Sequence, residues 1–69
     1  MKYLIRDGKV EYSGSRLEII NYIVTEYEDD YYVQEYADQL AKDFNKLRFV
    51  LTGLGLYISE TLPKRRKKK

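Results

Sequence analysis

The segment YLIRDGKVEYSG, residues 3–14, predicts the β-hairpin on which the rest of the chain folds. Its centre is Asp7-Gly8, a preferred pair for a two-residue type I′ turn because glycine accepts positive φ angles without steric cost. This turn fixes the register of the two strands. Four pairs of residues should then face each other across the hairpin: Arg6 with Lys9, Ile5 with Val10, Leu4 with Glu11, and Tyr3 with Tyr12.

The same register predicts which face of the hairpin meets the core. Successive side chains of a regular strand point to opposite faces of the sheet. One face therefore gathers four apolar or aromatic residues: Tyr3, Ile5, Val10 and Tyr12. The other face is mostly charged and carries Lys2, Leu4, Arg6, Lys9 and Glu11. We expect the helices to pack against the face of Ile5.

The residues SRLE at 15–18 predict the start of a helix. They form a capping box, in which the Ser15 hydroxyl accepts from the Glu18 amide and the Glu18 carboxylate accepts from the Ser15 amide. Apolar residues then recur at helical spacing: Leu17, Ile20, Val24 and Tyr27. The run IINYIVT at 19–25 is rich in β-branched residues, so a strand is the alternative. The run does not alternate strictly, and the capping box favours the helix.

A second helix is predicted after the break EDD at 28–30, where Asp29 or Asp30 can cap its first turn. Its apolar residues recur at spacings of four and three, as in the seam of a coiled coil. These residues are Val33, Ala37, Leu40, Phe44, Leu47 and Leu51. Gly53 supplies the expected stop. The seam would either face the sheet of the same chain or form the interface of a homodimer.

The segment LGLYISETL at 54–62 predicts a third strand, because large apolar residues alternate with other residues along it. The predicted order of elements is ββααβ. We predict an α+β fold in which the hairpin and the third strand form a small sheet with two amphipathic helices on one face. Residues 1–62 would form one domain, and residues 63–69 a disordered basic tail that begins at Pro63.

The composition excludes several kinds of chemistry. The 69 residues include no cysteine and no histidine, which rules out disulfides, thiolate or imidazole metal ligands and nucleophile–histidine catalysis. No glycine-rich phosphate loop is present either. We therefore expect no enzyme activity and no cofactor. The longest mainly apolar run, residues 49–58, is too short to span a bilayer, and a cysteine-free chain without a visible secretory signal is expected in the cytoplasm.

Positive charge is concentrated at the C-terminal end of the sequence. Six of the 13 basic residues occupy positions 64–69, and the other seven stand against 11 acidic residues, so residues 1–63 carry a net charge of −4. A run of this kind can neutralise phosphates of DNA or RNA without reading their sequence. We therefore predict a non-specific nucleic-acid site formed by Lys64, Arg65, Arg66, Lys67, Lys68 and Lys69.

Other interpretations of the basic tail stay open. It could be only a solvated end, or it could contact an anionic membrane or dock on the acidic body of the same or a second copy. The hairpin cations Lys2, Arg6 and Lys9 would extend its charge if the tail leaves the sheet on their side.

A second candidate site combines acids and tyrosines at 26–38. Helix capping and solvated charge explain the acids most simply, and their order differs from that of a calcium loop. Tyrosine is enriched at protein interfaces because its large apolar ring carries a polar tip. As an alternative function, a small inhibitor or adaptor, in the style of small proteins of viruses and mobile elements, would bind a larger basic protein. The residues would be Glu26, Glu28, Asp29, Asp30, Tyr31, Tyr32, Glu35 and Asp38.

Overall fold

The computed structural model of the protein describes residues 1–63, and in that part of the chain three strands form one antiparallel sheet in the order β2-β1-β3. Strands β1 (Lys2–Arg6) and β2 (Lys9–Gly14) form the predicted hairpin, and β3 (Leu56–Ser59) pairs with the other edge of β1. At the turn, Asp7 and Gly8 have φ angles of 52° and 77°, as type I′ geometry requires. The α+β class, the hairpin and the third strand are confirmed.

A β-bulge changes the register halfway along the hairpin. Ile5 pairs with Val10 as predicted, but the next pair is Leu4 with Tyr12, which leaves Glu11 as an extra residue in β2. Such an extra residue interrupts the alternation of a strand, so the side chains beyond it point to the opposite face from the one expected. The two predicted pairs beyond this point are therefore wrong: Leu4 with Glu11, and Tyr3 with Tyr12.

The helices cover the face of the sheet that carries Leu4, so the predicted core face is wrong. Leu4 is fully buried in one apolar cluster with residues of all the helices and with Leu56 of β3, and Tyr12 packs against this cluster. Ile5 is also buried but lies outside the cluster. The physical reason is that the bulge moves Tyr12 to the side of Leu4, while β3 adds Leu56 and Ile58 to the same side.

Helix α1 (Arg16–Glu26) begins at the predicted capping box. The Ser15 amide donates to Glu18 Oε1 over 2.8 Å, and the Glu18 amide donates to Ser15 Oγ over 3.2 Å. Its buried residues are Ile19, Ile20 and Ile23. Leu17 is 61% exposed, so its place in the predicted apolar seam is wrong. The packed face is centred on the three isoleucines.

The predicted second helix is in fact two helices with an irregular segment between them. Helix α2 spans Tyr31–Tyr36, a 3₁₀ turn spans Ala37–Gln39, and α3 spans Phe44–Leu54. Four of the six predicted seam residues are still buried in the core: Val33, Leu40, Leu47 and Leu51. Phe44, by contrast, is 56% exposed. These four residues pack within the chain, and the homodimer stays a prediction.

Polar caps determine where α2 and α3 begin. The Asp30 carboxylate accepts from two amides in the first turn of α2, which confirms one of the two predicted caps. Asp43, which was not predicted as a cap, accepts from two amides of α3 in the same way. Helix α3 ends at Gly55, whose φ angle is 78°, so the predicted stop at Gly53 is wrong. A continuous helix is interrupted because Asp43 starts a new one.

The segment after β3 is tied to the start of β1. Lys2 Nζ donates to Glu60 Oε2 over 2.8 Å. The predicted disordered tail at 63–69 lies outside the described residues, apart from Pro63. Across residues 1–63, no helix combines the length and the apolar character that crossing a membrane would require.

Gly14 joins β2 to α1 at a position that a side chain cannot occupy without strain. It is buried with a φ angle of 155°, and a Cβ there would lie 2.6 Å from Glu18 Oε1. This oxygen accepts the hydrogen bond from the Ser15 amide. A side chain at Gly14 would therefore strain the backbone and displace half of the capping box.

We expect Gly14→Ala to lower the free energy of unfolding by about 1–3 kcal/mol, the usual cost of a strained backbone conformation. The matched control is Gly53→Ala, because Gly53 lies inside α3 and a Cβ there meets no atom within 4 Å. The control should be neutral or stabilise the helix by about 0.5–1 kcal/mol. Urea unfolding followed by circular dichroism measures both, and equal effects of the two substitutions would contradict this account.

Candidate functional site

The predicted protein-binding surface at 26–38 lies on the turn after α1 and on α2. Tyr31 is 66% exposed and Tyr32 is 47% exposed. Five of the six predicted acids are exposed and form no ion pair within residues 1–63: Glu26, Glu28, Asp29, Glu35 and Asp38. Asp30 differs, because its carboxylate caps α2. Five acids and two tyrosines of the predicted surface are thus accessible, whereas Asp30 stabilises the start of α2.

Tyr32 belongs to an aromatic cluster that joins α2 to α3. Its ring centroid lies 5.1 Å from that of Tyr31, 6.4 Å from that of Tyr36 and 5.2 Å from that of Phe49. The Lys46 ammonium lies 4.6 Å from the centre of the Tyr36 ring. Neither Phe49 nor Lys46 was predicted to belong to a site. The tyrosines of α2 are therefore fixed against α3, and a lysine lies beside them.

A polar network that the sequence analysis missed joins the hairpin to α1. Glu11, the extra residue of the bulge, accepts from Arg6 Nε over 3.0 Å and from the Tyr22 hydroxyl over 2.9 Å. The Tyr27 hydroxyl also donates to Glu11, and it accepts from Arg6 Nη2 over 2.6 Å. The Tyr22 ring stacks on Tyr12 with centroids 4.4 Å apart. The network therefore holds the last turns of α1 against the sheet.

This network shifts the pKa values of its members. Burial is the largest influence on the pKa of Glu11 and raises it, but the three donors together outweigh burial, so the pKa lies below its ordinary value. Burial, and then the hydrogen bond to Glu11, raise the pKa of Tyr22 to about 12. The carboxylate is thus ionised and fully engaged at neutral pH, which is a stabilising arrangement.

We expect the protein to lose stability between about pH 10 and pH 12, because Tyr22 in the unfolded chain ionises near 10.0 and in the folded chain near 12. Below pH 10 its contribution is complete, and it disappears as the pH rises through the folded pKa. Tyr22→Phe should weaken this alkaline loss, whereas Tyr57→Phe, at an exposed tyrosine of β3, should retain it. Urea unfolding at pH 10 and pH 12 measures the loss of stability in each protein. An unchanged loss in Tyr22→Phe would refute the prediction.

A groove between α3 and β3 gathers basic side chains from distant parts of the sequence. Its volume is about 440 Å³. Three basic residues line this α3–β3 groove, one each from β1, α1 and α3: Lys2, Arg16 and Arg48. Buried apolar residues line it as well: Leu47, Leu51 and Leu56. The groove therefore combines an apolar interior with positive charge.

The exposed ring of Phe44 stands beside two guanidinium groups in this groove. The Cζ atoms of Arg16 and Arg48 lie 5.6 Å and 5.9 Å from its centroid, within the range of cation–π attraction. Arg16 Nε is buried and finds no hydrogen-bond partner within residues 1–63. The aromatic contact holds both guanidiniums beside the ring, and Arg48 is exposed there, so its N–H donors can reach a ligand.

The charge in the α3–β3 groove is opposite in sign to that of the domain. Glu60 is the acid among the groove residues, and the hydrogen bond from Lys2 lowers its pKa, so the two form a charged pair. Arg16 and Arg48 form no ion pair within residues 1–63. The sequence contains no acidic residue between positions 44 and 59. The groove is therefore positive on a domain whose net charge is −4.

Within residues 1–63, only one of the basic residues that were predicted to form a cationic surface lines the groove. The six basic residues at 64–69 lie outside the described part of the chain, but Glu60 lines the groove shortly before them in sequence. Of the three hairpin cations, Lys2 lines the groove, whereas Arg6 is bound to Glu11 and Lys9 is exposed beside the turn. A cationic surface thus forms with Arg16 and Arg48, which the sequence analysis did not single out.

Within residues 1–63, no group of three or more acidic side chains is placed to hold a metal ion. Comparisons of the chain with known protein families, curated proteins and solved structures find no match. A functional proposal for this chain therefore depends on its own charges and contacts.

Proposed function

We propose that this protein is a non-enzymatic accessory protein that binds nucleic acid non-specifically. Its basic C-terminal residues supply phosphate contacts: Lys64, Arg65, Arg66, Lys67, Lys68 and Lys69. Six adjacent cations attract a phosphate backbone by releasing its bound counterions, and this attraction does not depend on base sequence.

The observation that carries the proposal is the positive α3–β3 groove. Arg16 and Arg48 are free of ion pairs within residues 1–63, and they lie in the groove that Glu60 also lines. The chain reaches its basic run within a few residues of Glu60. A nucleic acid held by residues 64–69 can therefore extend onto a cationic surface of the folded domain.

The test measures the affinity for a labelled DNA and a labelled RNA oligonucleotide across a salt series. It compares the full-length protein with a 1–63 truncation and with a length-matched variant in which all six basic residues are glutamine. Each phosphate contact contributes about 0.7–0.9 to the slope of log K against log salt, so loss of four to six contacts should flatten the slope by about 3–5. Equally weak binding by all three proteins would end the proposal.

A second candidate function is a protein-binding module that uses the surface at 26–38. It is supported by the exposure of Tyr31 and Tyr32 and by five acids that form no ion pair within residues 1–63. Acids in such a row can imitate phosphates for a basic partner. A large, half-exposed tyrosine ring would supply apolar contact area beside them.

The structure sharpens the test of this second candidate. Glu28→Lys with Asp29→Lys reverses two exposed charges, whereas Asp30 should stay because its loss would uncap α2 at a cost of about 1 kcal/mol. The double variant should no longer capture a basic partner from a nuclease-treated lysate. The glutamine-tail variant should capture it as the wild type does. The opposite pattern would exclude this function and favour the tail.

A further inference from the structure

We propose that the α3–β3 groove is a single-stranded nucleic-acid site in which one base stacks on Phe44. This inference rests on the proposed nucleic-acid binding and adds a defined contact on the folded domain. The contact distinguishes a single strand from a duplex, because the faces of paired bases are already covered by their neighbours.

Phe44 has the position that base stacking requires. It is the first residue of α3, and 56% of its surface is exposed. Tyr57 of β3 lines the same groove and is 52% exposed. Because Tyr57 alternates with Leu56 and Ile58 along β3, its ring points to the other face of the sheet, so Phe44 is the ring that the groove offers for stacking. Stacking on such rings tolerates any base, because every base has a π-face.

The two arginines beside Phe44 have the chemistry that phosphates require. A guanidinium carries several N–H donors in one plane, which suits the oxygens of a phosphate. A buried donor without an acceptor costs free energy, and Arg16 Nε is such a donor within residues 1–63. A phosphate seated beside Arg16 and the exposed Arg48 would face two cations that no ion pair within residues 1–63 neutralises.

Charge complementarity and the apolar lining together favour a nucleic acid over an acidic peptide. A peptide carboxylate would satisfy Arg16 and Arg48 but would leave the exposed ring of Phe44 uncovered. A nucleotide supplies an anion and a flat aromatic group within one unit, and the groove offers a partner for each. An acidic peptide is therefore an outcome that the experiment must exclude.

The first experiment places a fluorescent reporter at the proposed stacking position. The chain has no tryptophan, so Phe44→Trp reports only on its own surroundings. Addition of a short oligothymidylate or oligouridylate to the full-length variant should quench its fluorescence, because a stacked base is in direct contact with the ring. The matched control is Phe49→Trp on the same helix, which lies outside the α3–β3 groove and should respond little.

The second experiment measures affinity in the full-length protein. Phe44→Ala should weaken binding of the single strand roughly 5- to 150-fold, the range for loss of one stacked base. Phe49→Ala should have no comparable effect. Arg48→Gln should weaken binding and flatten the salt dependence, whereas Lys9→Gln, on the opposite edge of the sheet, serves as its charge-matched control. Circular dichroism confirms that each variant folds.

Three ligands separate the outcomes. An abasic strand of equal length offers phosphates without bases, so the wild type should bind it less tightly than oligothymidylate, and Phe44→Ala should remove that preference. If the wild type binds oligothymidylate but Phe44→Ala binds it equally well, the stacking site is refuted while tail binding stands. If the wild type binds no nucleic acid, both proposals fail. If an oligoglutamate peptide binds as tightly and depends on Phe44 as much, the groove is not a nucleic-acid site.

Discussion

The extra residue at Glu11 determines which face of the sheet the helices cover. It turns Tyr12 to the side of Leu4, and its own carboxylate accepts from Tyr22 of α1 and from Tyr27, the residue that follows this helix. At the other end of α1, Arg16 in the first turn lines the groove that α3 and β3 form. The same helix therefore contacts the bulge near its C-terminal end and supplies a candidate ligand contact at its N-terminal end.

Local signals predicted the parts of the fold that depend on neighbouring residues. The Asp7-Gly8 turn, the capping box of Ser15 and the cap at Asp30 each involve groups only a few residues apart. The bulge leaves no comparable signal, because an extra residue in a strand changes the alternation without changing the composition. The second helix was predicted as too long because a broken helix can bury the same periodic leucines. In the sequence, Asp43 also cannot be told from an ordinary surface acid, although it caps a new helix.

The two candidate surfaces also differ in how far they could be predicted from neighbouring residues. The acids and tyrosines at 26–38 lie close together in sequence, so their joint exposure, apart from that of Asp30, could be predicted. Arg16, Phe44 and Arg48 come from two helices and meet only after both have packed on the sheet. The absence of acids between 44 and 59 was the one trace of the groove in the sequence. As a result, the domain carries acids on the α2 side and positive charge beside β3.

The central claim is that a nucleic acid contacts the folded domain at the α3–β3 groove. The most direct measurement is an NMR titration of isotope-labelled full-length protein with a short oligothymidylate. The account predicts that the largest shifts among residues 1–63 are those of Arg16, Phe44, Arg48 and Tyr57, including the side-chain Nε–H signals of the two arginines. Shifts confined to residues 64–69, with the groove signals unchanged, would contradict it.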